Sequence, residues 1–211
     1  MRLMTPRVMV TGLMSLRLAI ASQAVFAVSV KQQNLIDLIG QSDQIIVGTI
    51  KSVTDGFSDD GVPFTEITLN VREHIRGRKT ETYTFRQFGL MEPRKINGRT
   101  YLGVTPEGWP HWSEQETVMV FLSERARLTG LQTTVGLGQG KLRLQQGKLS
   151  SETQNAGLFT GVELKARGLN QAQSDMLKSE SGPVDAASFI DLVRRAVNEN
   201  WIGTGVMKNE L

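Results

Sequence analysis

Glu66-Ile67-Thr68-Leu69-Asn70-Val71-Arg72 alternates polar and apolar side chains without interruption. In an extended chain successive side chains point to opposite faces, so Ile67, Leu69 and Val71 share one face. This pattern predicts a strand with one buried side and one wet side. Just before it, Asp59-Asp60-Gly61 supplies a turn, because glycine accepts the positive φ of a tight hairpin. On the far side of that turn lie Ile45-Ile46-Val47-Gly48-Thr49-Ile50 and Lys51-Ser52-Val53, β-branched and strand-like. After the central strand, Arg76-Gly77-Arg78-Lys79 reads as a basic turn, and Glu81 to Phe88 as a strand with Tyr83 and Phe85 on one face.

Further along, Thr117-Val118-Met119-Val120-Phe121-Leu122 is almost wholly apolar, as expected of a strand covered on both faces. Gly136, Gly138 and Gly140 lead into Lys141-Leu142-Arg143-Leu144-Gln145, a glycine-punctuated β region. These glycines open no helix, so they make no phosphate loop; such spacing marks bulges or a corner. Two helices frame the strands. Leu35, Ile36, Leu38 and Ile39 fall at helical spacing before Gly40. Phe189, Leu192, Val193, Ala196 and Val197 line one face of an amphipathic helix over roughly residues 185–199, opposite Arg194 and Arg195. Asp185 starts that helix and Gly203 lies beyond it.

The order of these segments resembles secreted bacterial domains of uncharacterised function with an OB-like barrel. More distantly it is similar to the netrin-like modules and the tissue inhibitors of metalloproteinases. The resemblance spans roughly residues 34–145 and is carried by Val47-Gly48-Thr49-Ile50 and by Val71 through Gly77. It implies a mainly β fold: an antiparallel OB-like barrel of about five strands, with Ile67, Leu69, Val71 and Val120 inside. The inhibitors chelate the protease zinc with an N-terminal cysteine and brace the reactive edge with disulfides. This chain has no cysteine, so inhibition by that route is not implied.

Residues 1–27 hold Arg2, Arg7 and Arg17 and no acid, and residues 18–27 are apolar with small side chains near the end. Val25 and Ala27 suit the −3 and −1 positions of a signal-peptidase site, which predicts export and a mature start at Val28. Arg17 interrupts the apolar stretch, and a mitochondrial transit peptide is the rival reading. The remaining chain holds 21 basic and 21 acidic residues. A nucleic-acid partner is therefore not expected, since phosphate neutralisation needs a basic face. No run approaches a membrane span. The expected organisation is a signal peptide at 1–27, the barrel domain at 28–165, a polar linker at 166–183, and a C-terminal helix and tail at 184–211. The final Lys208-Asn209-Glu210-Leu211 matches an endoplasmic-reticulum retention tail imperfectly.

No catalytic motif is present: there is no Gly-x-Ser-x-Gly elbow and no His-Glu-x-x-His. No catalytic residue, metal ligand or cofactor is assigned. Asp55, Asp59 and Glu66 fit positions 1, 5 and 12 of a calcium loop, but Phe57 and Asp60 occupy positions 3 and 6, where an oxygen ligand and a glycine are needed. A solvated hairpin is the preferred reading. His74 is expected on the wet face of the central strand. Carboxylate pairs such as Glu114 with Glu116 are what any acidic loop offers. The long stretch 89–116, rich in Gly and Pro, holds Trp109-Pro110-His111-Trp112. Long loops are commonly functional, and aromatic faces stack on sugars or peptide side chains. Trp109, His111 and Trp112 are therefore the candidate ligand-binding residues, with tryptophan plugs at the end of the barrel as the competing reading. The function expected is an exported, non-enzymatic module for a protein or glycan partner. The alternatives are a structural subunit of an envelope assembly and a hydrolase with a carboxylate site.

Overall fold

The computed structural model describes residues 31–96, 98–101 and 103–210; the expected signal at 1–27 lies outside them. The chain opens with α1 (Leu35–Gly40). Asn34 caps this helix, its Oδ1 accepting from the Ile36 and Asp37 amides, and Asp37 reaches back to the Asn34 amide. The strands β1 (Gln44–Phe57), β2 (Pro63–Arg76) and β3 (Thr82–Phe88) follow as a meander. The turn predicted at 59–61 joins the first two: Ser58 N–H donates to Val62 O at 2.9 Å. The 89–116 stretch contains a small hairpin, β4 (Arg94–Ile96) and β5 (Arg99–Tyr101). Then come β6 (Thr117–Leu122), a 3-10 turn over Leu137–Gly140, β7 (Lys141–Gln145), β8 (Lys148–Ser150) and β9 (Val162–Leu164). The chain ends with α2 (Gln171–Met176), β10 (Val184–Asp185), α3 (Ala186–Asn198) and β11 (Met207–Asn209).

The main sheet has seven antiparallel strands in the order β10-β8-β7-β6-β1-β2-β3, and it is open. Where a closed or nearly closed OB-like barrel of about five strands is expected, the sheet is not closed into a barrel. The physical reason lies in β1 and β6, which are buried on both faces. Ile45, Val47, Met119 and Phe121 pack on one side with α1 and with Phe189, Leu192 and Val193 of α3. Ile46, Ile50, Val118, Val120 and Leu122 pack on the other with Ile67, Leu69, Phe85 and Trp112. A barrel has one interior; this sheet has a core on each side, so its apolar strands are covered without closure. The facing of the central strand agrees with the alternation: Ile67, Leu69 and Val120 are fully buried and Val71 packs against them.

The register of β1 and β2 shifts at three places, one of them between Val47 and Gly48, and such irregularities bend a long strand. Gly48 sits at that bend, where a Cβ would lie 2.5 Å from the Asn70 carbonyl oxygen. The C-terminal helix closes the first core, and Arg194 grips Glu73 of β2 with both carboxylate oxygens, at 2.7 and 3.0 Å. The stretch 166–183, expected as a polar linker, contains α2, whose Met176 is buried in the same core. Among the described residues no helix is long and apolar enough to cross a membrane.

Candidate functional site

The 89–116 stretch is built on one long-range junction. Leu90 and Val104 form a parallel bridge, with Leu90 N–H donating to Gly103 O at 2.7 Å and Thr105 N–H to Leu90 O at 3.0 Å. This bridge closes the base of the β4–β5 hairpin. Asp55 of β1 secures the hairpin: it accepts from the Met91 amide at 2.8 Å and pairs with Arg94. Phe57 meets Tyr101 edge-on at 4.9 Å. Asp55 is thus occupied by the hairpin, while Glu66 pairs with Arg86 at 2.7 Å. Among the described residues no three His, Cys, Asp or Glu side chains converge as a metal site.

The second half of the stretch is pinned to the sheet from below. Gln87 of β3 is fully buried; its amide donates to Pro110 O at 3.2 Å and accepts from Trp112 Nε1 at 3.1 Å. Trp112 is 8% exposed and meets Phe85 edge-on at 5.3 Å. Lys141, at the start of β7, places its Nζ 4.9 Å from the Trp112 ring centre. The same ammonium donates to the His111 carbonyl and to Glu116 Oε2, the latter at 2.7 Å. Glu116 also faces Arg143. Burial holds the Lys141 ammonium below its ordinary pKa, and Glu116 offsets part of that shift.

These anchors separate the three residues singled out from the sequence. Trp112 is a core plug with no free face for stacking. His111 points its ring outward, 3.8 Å from Glu152. Trp109 is half-buried against Phe88, ring centres 6.4 Å apart. They do not form one aromatic platform. His74 is half-buried, bonded through Nε2 to Thr80 Oγ1 at 3.2 Å, and burial lowers its pKa.

What the loop does form is a cleft of about 440 Å³, lined by Val53, Met91, Val104, Pro110, His111 and Trp112 among others. Met91 is 54% exposed and Val104 37%. Among the described residues only Leu128 is a further large apolar side chain exposed to that degree. Val104 is one partner of the Leu90–Val104 bridge and Met91 follows the other, and the sequence carries no periodic signal that would bring them together. The roles of Gln87, Glu116 and Lys141 carry no local signal for the same reason: their partners are distant in sequence. The chain matches no family model, no curated protein and no solved structure.

Proposed function

We propose that this chain is an exported, non-enzymatic binding module that holds a segment of a protein partner in the cleft lined by Met91, Val104 and His111. The observation that carries the reading is the pairing of Met91 and Val104 at that cleft. Exposed apolar side chains gathered around a concavity mark interaction sites, whereas scattered ones need no explanation. The buried state of Trp112, the tryptophan that lines this cleft, favours a protein over a glycan here. Export rests on the arginine-bearing, acid-free start and the Val25/Ala27 pair. The OB-like reading is supported by the chain path. β1 pairs with both β2 and β6, and the segment after β6 returns toward the β3 edge, where Gln132 N–H donates to Arg86 O at 2.8 Å.

The test is site-specific photo-crosslinking in the native envelope fraction. A benzophenone side chain is placed at Met91, at Val104, and at Leu128 as control. Discrete adducts of one mass from the first two positions, and none from the third, are expected. Equal labelling from all three positions, or none at Met91 and Val104, contradicts the proposal.

A further inference from the structure

A second cleft, lined by different residues and of opposite character, adjoins the first through His111, whose amide and ring face Glu152. Strands β7 and β8 are joined by Gln146 and Gly147, both at positive φ, 49° and 76°, as a two-residue hairpin turn requires. One face of this hairpin turns Leu142 and Leu149 into the first core, with Leu144 packed against it. The opposite face carries Lys141, Arg143, Gln145, Lys148 and Ser150, with Arg143 paired to Ser150 and Gln145 to Lys148. A polar sheet face open to water needs no concavity. This one is walled by Glu152, Gln154 and Pro183 into a cleft of about 360 Å³. Lys141 lies in its floor, almost fully buried and locked to Glu116.

We propose that this cleft binds a carboxylated sugar. Arg143 and Lys148 stand at diagonal cross-strand positions, about 7–8 Å apart, where both can reach one carboxylate. Arg143 already pairs with Glu116, and the edge of its planar guanidinium left free by that pair can take the carboxylate. Gln145, Gln146 and Gln154 supply amide donors and acceptors for hydroxyl groups, and Glu152 supplies an acceptor that sugar hydroxyls satisfy. The same Glu152, with Glu116 beneath, disfavours a compact multiply charged anion such as free phosphate. Pro183 is the one apolar residue in the lining, so discrimination against an acidic peptide comes from the glutamine amides that match sugar hydroxyls.

The test is calorimetric titration of the purified protein with uronate trimers: galacturonate, glucuronate and mannuronate. Neutral galactotriose, a triglutamate peptide and inorganic phosphate serve as controls. At least one uronate is expected to bind saturably, and each control at least about tenfold more weakly, the loss expected when a charged hydrogen-bonding group goes unmatched. Arg143→Gln and Lys148→Gln should each weaken the uronate by about tenfold, Lys148→Gln with an unchanged melting temperature. Lys148→Gln, on an exposed side chain, keeps the test decisive should Arg143→Gln disturb the Glu116 pairing. Absence of saturation with every uronate, equal binding of triglutamate or galactotriose, or indifference to both substitutions overturns the proposal. None of these outcomes bears on crosslinking at Met91 and Val104.

Discussion

Trp109 and Trp112 lie three residues apart in environments that predict opposite mutational behaviour. Trp112→Ala removes the cover over Lys141, orphans the Gln87 amide oxygen and opens a cavity beside Phe85. Denaturant unfolding should show a loss of roughly 3–5 kcal/mol. Trp109→Ala, at a half-buried flank, should cost well under half of that. Equal losses would mean that both rings are plugs. Lys141 adds a pH signature. Its folded pKa lies below the ordinary 10.5, so between the two values the unfolded chain binds more protons than the folded one. Stability contributed by this group therefore rises with pH through that interval, and the cost of burying the charge is fully present below it. Lys141→Met should flatten the stability profile on the alkaline side relative to the wild type. An unchanged slope would show that Lys141 does not titrate differently on folding. Tryptophan plugs were one of the two readings the sequence allowed, but the Lys141 anchor was not legible in it. Lys141 stands in an alternating strand where a polar residue is expected to face water, and its acidic partner Glu116 sits in an irregular loop.

At the scale of elements, the central strand and the last helix follow from local periodicity alone. The alternation at 66–72 placed Ile67 and Leu69 inward, and the stripe from Phe189 to Val197 placed the face that α3 buries. Leu69→Ala should accordingly cost roughly 2–5 kcal/mol. Thr68→Ala, which removes only a surface hydroxyl pair with Thr84, should stay within about 0.5 kcal/mol. Matched losses would contradict the facing. Gly48→Ala should cost about 1–3 kcal/mol, because the new methyl meets a backbone carbonyl that can move only with β2. Whether the sheet closes was not legible. Closure depends on two edges meeting in space, and no local period encodes that meeting. The sequence did record that 118–122 is covered on both faces, which is the local half of the two-core arrangement.

The first core draws on α1, β6, α2, α3 and β11 together, which predicts unfolding as one cooperative unit. Truncation after Gly182 would strip Phe189, Leu192, Val193, Trp201 and Met207 from that core. The truncated chain should show no cooperative thermal transition, whereas an unchanged melting temperature would mean that the helix covers nothing. Export is tested separately by N-terminal sequencing of the protein from cells, which should begin at Val28; an intact Met1 contradicts it. The central claim is that Met91 and Val104 form a partner-binding surface on a scaffold held by Gln87, Trp112 and Lys141. Its most direct test is the dissociation constant of the crosslinked partner, once purified, for the wild type and for Met91→Glu/Val104→Glu. The double variant should keep the wild-type melting temperature and bind at least about tenfold more weakly, as expected when apolar contacts at the centre of an interface are lost. Unchanged affinity in a normally folded double variant would contradict the account.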